Sequence, residues 1–336
     1  MTRGPWVRRA AAVTVAVVGA SAVAVMAGEF AVRRLLPQFD PSGALAFEYD
    51  ATYGIGFGPA GARRRLLKNS GDYDVPVTFN RHGLRDRRDI ADAGPDDVVF
   101  AGDSFTFGWG VREDERFSAI FEGLTGRTTF NLAVPTGLEG YGALLRLARD
   151  RGADAGTLVL GICMENDLQV ETDGHLGDGP AEPAREAAKA WLTSRSALYV
   201  AASAAVHRVA PLRVLAGGLG LLAGPLGEHV PPVPAQVERA AALTARIAAG
   251  YDTTVLIIPS RGLWLGTDEA AWRDAHVRYV AALRARRLRV VDLLPAMESG
   301  GRPLGYHFPY DGHWNAAGHR LAAEALAVAV PPAPGS

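Results

Sequence analysis

The chain has 336 residues, 48% of them apolar and 21% charged, a composition that excludes general disorder and supplies a full core. Thirty-nine glycines without a period and a single cysteine exclude collagen-like and disulfide-stapled architectures. Thirty-five basic and 36 acidic residues leave a net charge of −1, which is not the basic footprint of a nucleic-acid binder.

Met1 to Arg9 carries Arg3, Arg8 and Arg9, and Ala10–Gly28 then runs nineteen residues without a charge. At about 1.5 Å per residue that run just spans a hydrocarbon core of about 30 Å. Glu29, Arg33 and Arg34 end it. A basic leader (1–9) before an apolar helix (10–28) reads as a signal anchor with the N-terminus inside. Ala20-Ser21-Ala22 and Ala22-Val23-Ala24 keep a cleavable signal peptide as the alternative. Either reading carries the remainder across a membrane, single-pass and anchored or secreted after cleavage.

Residues 36–96 are rich in Gly, Asp, Arg and aromatics without a helical period, which predicts an irregular, partly β preface. Val75–Asn80 alternates weakly, as a strand would. Gly56-Phe57-Gly58-Pro59-Ala60-Gly61 is formally a G-x-G-x-x-G. No apolar strand precedes it and no βαβ unit follows, so no dinucleotide site is read there and no cofactor is expected. Arg63–Arg65 reads as a solvated or headgroup-facing patch.

From Asp97 short apolar runs alternate with helical stretches. Strands are predicted at Val98–Ala101, Thr128–Leu132, Thr157–Ile162, Thr253–Ile258 and Leu288–Asp292. Helices are predicted at Arg116–Leu124, Gly140–Asp150, Val237–Ala249, Asp268–Arg286 and Asn315–Val328. Strands apolar on both faces suit a buried parallel sheet. The alternation predicts a three-layer α/β/α fold on a central, mainly parallel five-stranded sheet, spanning 97–330. An insertion at 171–235 interrupts it, with a helix predicted at Glu182–Val206 and a charge-free run at Val214–Gly227 that is too short to cross a bilayer. It reads as a helical cap on the core, with membrane-surface contact as the second reading. Cys163 ends a buried strand and reads as a small core residue.

In open α/β sheets ligands bind outside the carboxyl ends of the strands. Three polar clusters fall there: Gly102-Asp103-Ser104, Asn131 with Thr136-Gly137, and Glu165-Asn166-Asp167. A fourth, Asp311-Gly312-His313-Trp314-Asn315, precedes the last helix. A serine hydroxyl needs a base to take its proton, and His313 supplies one. In an extended loop residues i and i+2 face one way, so Asp311 would fix the His313 tautomer. The Ser104 amide, the Gly137 or Thr136 amide and the Asn166 side chain are candidate oxyanion donors. Gly-x-Ser-x-Gly is absent because Thr106 fills its last place, which argues against an α/β-hydrolase elbow. His307, His313 and His319 lack the carboxylate or cysteine partners of a metal site, so none is read. Trp109, between Gly108 and Gly110, reads as a loop anchor, with a substrate platform as the second reading.

Gly102-Asp103-Ser104-Phe105, Asn131…Gly137, Asn166-Asp167 and Asp311-Gly-His313 resemble the four motif blocks of the SGNH (GDSL) hydrolases. The resemblance spans about Asp97 to Val328 without the insertion. The chain is especially similar to membrane-anchored bacterial members, in which Thr78-Phe-Asn-Arg-His-Gly-Leu-Arg-Asp86 precedes a Gly-Asp-Ser-Phe-Thr-Phe-Gly-x-Gly-Val block. The resemblance implies a flavodoxin-like SGNH fold, a Ser104 nucleophile, a His313 base with Asp311, and an oxyanion hole from Ser104, Gly137 and Asn166. Asp103 and Asp167 stand beside these as supporting residues. The family spacing puts Thr136 rather than Gly137 in the second block's place, and Met164 where glycine is frequent. The terminal motif is Asp-x-His-Trp rather than Asp-x-x-His, which is similar to the alginate O-acetylation branch. A serine esterase acting on small acyl or glycan esters is the expected function. O-acyl transfer to an envelope polysaccharide is the alternative, and a catalytically silent binding module is the alternative of another class.

Overall fold

The computed structural model describes residues 5–169, 184–219, 230–266 and 268–330. Helix α1 (Pro5–Leu35) is followed by the short strands β1 (Glu48–Asp50), β2 (Ile55–Phe57), β3 (Arg63–Leu67) and β4 (Asp74–Thr78). Then come β5 (Val98–Gly102), α2 (Ser104–Phe107), α3 (Phe117–Thr125), β6 (Thr129–Asn131), α4 (Leu138–Asp150) and β7 (Thr157–Cys163). Helices α5 (Ala184–Arg195), α6 (Ala197–Arg208) and α7 (Ala210–Gly218) interrupt the alternation. It resumes with α8 (Pro234–Ala248), β8 (Asp252–Ile258), α9 (Glu269–Ala285), β9 (Arg289–Asp292), α10 (Leu294–Ser299) and α11 (Ala316–Ala329). The chain forms two compact units, one of Met1–Ala44, Leu67–Gly71 and Gly177–Leu222, the other of Leu45–Leu66, Asp72–Leu176 and Ala223–Ser336.

The second unit holds the expected five-stranded parallel sheet, in the order β6-β5-β7-β8-β9. Strand side chains alternate between faces, and both faces are apolar here. Val99, Ala101, Leu158, Leu160, Val255 and Ile257 pack with Tyr141 and Leu144 of α4, Ala240 of α8 and Tyr279 of α9. Val98, Phe100, Val159, Leu256 and Ile258 pack on the opposite face with Phe117 and Phe121 of α3 and Ala322 and Leu326 of α11. Three layers result because neither face of these strands tolerates water. The order places a topological switch between β5 and β7, where the carboxyl ends open a crevice. Cys163 closes β7, buried and unpaired.

The preface adds two two-stranded sheets, β1–β2 and β3–β4. In β4, Val75 and Val77 turn inward beside Phe79, Phe107 and Ala133. The G-x-G-x-x-G segment begins within the three-residue β2 and leads to β3, not to a helix.

In the first unit α1 is longer than the charge-free run. Residues Ala11–Leu35 form a helix long and apolar enough to cross a membrane by length and composition. The single helix expected over 182–206 is two helices, with 182–183 outside the described residues. The break falls at Ser196, whose hydroxyl accepts a hydrogen bond from the Tyr199 amide and so restarts the helix as an N-cap. Of the charge-free run, 214–218 lie in α7 and 220–227 lie outside the described residues.

Leu160 stands fully buried in the central strand. Leu160→Ala is expected to cost about 2–5 kcal/mol in urea denaturation, through lost transfer energy and the cavity left behind. Val328→Ala, at a position 90% exposed, should leave the midpoint unchanged.

Candidate active site

The site begins where β5 ends. Gly102 lies opposite Gly161 of β7, and a Cβ on either would collide with the Thr106 hydroxyl. The two glycines therefore let α2 settle directly onto the strand ends. Asp103 is the N-cap of α2 and accepts the Phe105 amide at 2.9 Å. Ser104 follows as the first helical residue, so its own N–H has no partner within the helix. Gly108 terminates α2 at φ 83°, a left-handed conformation that favours glycine.

The fourth cluster forms a closed loop. A bridge between His307 and Trp314 joins its ends, and the Phe308 amide donates to the His313 carbonyl at 3.0 Å. Asn315 caps α11 through the Ala317 amide and donates to the His307 carbonyl at 3.0 Å. Asp311 Oδ1 accepts the His313 backbone N–H at 3.0 Å and lies 2.5 Å from His313 Nδ1. The pair is therefore set by an Asx-type bend and not by the extended i, i+2 geometry expected. The short side chain curls the backbone back onto itself. On its other side, His313 Nε2 is 2.8 Å from Ser104 Oγ. With Nδ1–H directed at the carboxylate, Nε2 is the acceptor and the serine donates.

Asn166 joins this series through Asp103, donating from Nδ2 to Oδ2 at 3.1 Å. Asp103 is buried, and burial raises its carboxyl above the usual range against the lowering effect of Asn166 and the Phe105 amide. Asp167 accepts from the Tyr141 hydroxyl at 2.6 Å and the Cys163 amide at 2.8 Å. Burial and the nearby Asp103 charge push its carboxyl up further. Gly137 is the N-cap of α4, and the Thr136 side chain packs against Gly140 behind it. Among the described residues neither Thr136 nor Gly137 is hydrogen-bonded to Ser104 or Asn166. Asn131 donates to the Thr106 carbonyl at 2.7 Å, so it supports α2 from below. The contacts of Trp109 are those of a loop anchor. Its ring stacks on His313 with centroids 5.4 Å apart, and its Nε1 donates to the Tyr73 hydroxyl at 2.8 Å.

Two residues escaped the sequence. Tyr73 donates to Asp311 Oδ2 at 2.9 Å, and burial followed by the Asp311 charge raises its phenol well above 10. Arg261 donates to Glu165 at 3.0 and 2.8 Å while its guanidinium occupies the space a Gly312 Cβ would need. It ties the loop after β7 to the Asp311 loop. Neither carries a motif, and their partners lie 238 and 96 residues away in the chain. Beneath the site, Arg85 is buried and donates to the Phe107, Gly108 and Val111 carbonyls at 3.2, 2.5 and 2.7 Å. Asp86 accepts the Asn131 amide at 2.6 Å. The block Thr78–Asp86 thus holds the loop that carries the nucleophile candidate. Among the described residues no group of three or more His, Cys, Asp or Glu is placed to hold a metal ion.

Residues 228–336 match the family model described as SGNH hydrolase-like domain, acetyltransferase AlgX. The matched stretch contains Asp311, His313 and Trp314, and it bears out the likeness to the SGNH hydrolases and to their alginate-acetylation branch. No curated relative matches the chain in sequence. Among solved structures, a lipolytic G-D-S-L family protein from Veillonella parvula is 13% identical with a TM-score of 0.41, over 70% of this chain and 97% of its own. A lipase/acylhydrolase from Enterococcus faecalis is 11% identical with a TM-score of 0.40, over 71% of this chain and 100% of its own. A lipase from Streptomyces rimosus is 15% identical with a TM-score of 0.38, over 70% and 99%.

His307, at one end of the Asp311 loop, and His319 of α11 are both buried. Burial, with Arg261 next in weight, pulls His307 down to about 4, and burial, with Arg85 next, pulls His319 down to about 3. The fold holds both neutral, while the unfolded chain takes up their protons near 6.5. Their contribution is complete above pH 6.5 and is lost as pH falls toward 4 and 3. Each costs about 1.4 kcal/mol per pH unit across its window. Urea midpoints between pH 7 and 4.5 should fall steeply, and His319→Gln should flatten the slope even where it lowers stability overall. An unchanged slope would show that His319 does not titrate this way.

Proposed function

We propose that the chain is a membrane-tethered, extracytoplasmic serine esterase that works through a Ser104–His313–Asp311 triad and an acyl-enzyme. The observation that carries the reading is the continuous hydrogen-bond series from Ser104 Oγ through the imidazole to Asp311, at 2.8 and 2.5 Å. Ser104 Oγ bonds to the ester carbonyl carbon as its proton passes to His313 Nε2. The imidazolium that forms faces the Asp311 carboxylate and lies near buried Asp103. The oxyanion takes hydrogen bonds from the Ser104 amide, the Gly137 or Thr136 amide and the Asn166 proton not used on Asp103. The C–O bond to the alcohol then breaks, and His313 returns the proton to the leaving oxygen. Water or a second hydroxyl then bonds to the acyl carbon as its proton passes to His313, the bond from that carbon to Ser104 Oγ breaks, and His313 returns the proton to Ser104. No metal or cofactor is called on. Tethering rests on α1, whose apolar stretch suits a signal anchor, with the cleaved signal peptide as the alternative.

The second reading, transfer of the acyl group to a sugar hydroxyl of an envelope polysaccharide, is favoured by one observation. The family model over 228–336 describes an acetyltransferase. Esterase and transferase share every step up to the acyl-enzyme and differ in what attacks it.

The test offers acetyl esters to the purified full chain with and without an oligosaccharide acceptor, and quantifies released acetate and acetylated sugar. Ser104→Ala should abolish both products and fluorophosphonate labelling while leaving the melting temperature unchanged. His313→Ala should be about as severe. Asp311→Asn should slow turnover by up to about 10⁴-fold, and Asn166→Ala by about 10²–10³-fold. A wild-type Ser104 that takes no label makes the chain a silent binding module.

Tyr73→Phe removes one of the hydrogen bonds that position Asp311. A hydrogen bond to a charged group is worth about 1.5–3 kcal/mol, so kcat should fall about 10- to 100-fold. KM should hold steady, because the hydroxyl is engaged with Asp311 and Trp109. A changed KM with constant kcat would place Tyr73 in substrate binding.

A further inference from the structure

In the first unit, α1 is exposed from Ala11 through Ala27 and becomes partly covered only at Gly28, Glu29 and Ala31–Arg33, with Phe30 still exposed. Gly28 packs against Leu198 of α6. Glu29, on the next position, receives the start of α6. Its carboxylate accepts the Ala197 amide at 2.9 Å, the Leu198 amide at 3.0 Å and the Ser196 hydroxyl at 2.9 Å. Arg33, one turn further, donates to the Arg195 carbonyl at 2.7 Å and pairs with Asp40 at 2.5 Å. A carboxylate and a guanidinium one turn apart thus hold the end of α5 and the start of α6 against the outer end of the apolar helix.

The far end of α6 returns to the same place. The Arg208 guanidinium stands 5.7 Å over the Phe39 ring, and Phe39 adjoins Asp40, the partner of Arg33. Arg208 Nε also donates to the Asn69 carbonyl at 3.1 Å, while Asn69 Nδ2 donates to Ser203 at 3.0 Å. Helix α7 starts two residues after Arg208, beside this anchorage. Apart from the half-buried Arg213, its surface is apolar. Val214 is 75% exposed, Leu215 62% and Leu219, at its C-cap, 64%, with only Ala216 buried in the helix. Trp191 of α5 is 56% exposed, with the Arg195 guanidinium 5.5 Å over its ring.

A helix apolar nearly all round belongs in a core or in lipid. Tryptophan beside arginine is the pairing of a membrane–water interface. The charge-free run of α1 covers about 28 Å at 1.5 Å per residue, which puts the outer edge of the hydrocarbon near Gly28. We infer that α5, α6 and α7 form a collar that seats this unit on the outer leaflet of the membrane α1 crosses, with Trp191, Leu215 and Leu219 sunk into the interface. The inference rests on the reading of α1 as an anchor. Its partner is the bilayer surface, because the helices are bonded at the level where α1 leaves the lipid.

The test uses the full chain in nanodiscs with single cysteines at Trp191, Leu215, Leu219 and, in the anchor, Val18. Native Cys163 is buried and stays unlabelled. Each site carries an environment-sensitive fluorophore, quenched by nitroxide lipids of two depths or by a water-soluble nickel chelate. The expected result is deep-lipid quenching at V18C, with shallow-lipid quenching and protection from nickel at W191C, L215C and L219C. V18C in lipid with the other three open to nickel overturns the collar and leaves the anchor intact. V18C itself open to nickel overturns the anchor, and the collar with it. Collar labels shielded from both quenchers would point to a protein cover and also overturn the inference.

Discussion

The geometry of the candidate site depends on one steric accommodation. Thr106 of α2 drives into the space between β5 and β7, and only the paired glycines 102 and 161 leave room for it. Because strands β5 and β7 flank the switch point, that wedge puts the first turn of a helix over the crevice. Asp103 can then cap the turn and face Asn166, and Ser104 meets an imidazole that arrives 209 residues later. A methyl group at either glycine would push α2 off the sheet and separate hydroxyl from imidazole.

The wedge is held from below by charges that the fold has removed from water. Arg85 is buried, and burial lowers it to about 9. Three carbonyls at the end of α2 and in the loop after it accept from its two terminal nitrogens, while its buried Nε has no hydrogen-bond partner. A buried cation without acceptors would cost several kcal/mol, so arginine and loop conformation require one another. Asp86 and Arg116 lie 3.7 Å apart in the same buried layer, and Asp86 also fixes the Asn131 amide at the end of β6. This explains why an Arg-Asp pair in the preface accompanies the Gly-Asp-Ser-Phe block in sequence. The two segments form one packed object.

What the sequence revealed and what it concealed follow the range of the interactions involved. Strands apolar on both faces and helices of 3.6-residue period are local signals, and the five strands lie within two residues of where they were expected. Ser104, Asn166, Asp311 and His313 were legible because each sits in a short run with its own turn chemistry. Tyr73 and Arg261 were not, since a tyrosine after Asp72 or an arginine after Ser260 looks like any surface residue until the fold supplies its partner. The break at Ser196 was hidden for the same reason. Ser196 supplies a local cap, yet Glu29, 167 residues earlier, also binds that helix start.

The Asp311–His313 pair shows how a local conformation substitutes for spacing. With only Gly312 between them, Asp311 and His313 could not place carboxylate and ring side by side on an extended chain without separating their backbones. The Asx bend removes the difficulty, since Oδ1 binds the backbone N–H of His313 and its ring nitrogen together. Such a bend leaves Oδ2 turned inward, where Tyr73 donates to it. It also leaves Gly312 without room for a side chain, because Arg261 packs over it. The intervening residue is thus fixed as glycine by Arg261, the inward oxygen by Tyr73 and the outer face of the imidazole by Trp109. The motif is one residue shorter than the Asp-x-x-His it resembles, and the preface and the β8 loop supply the contacts that hold it.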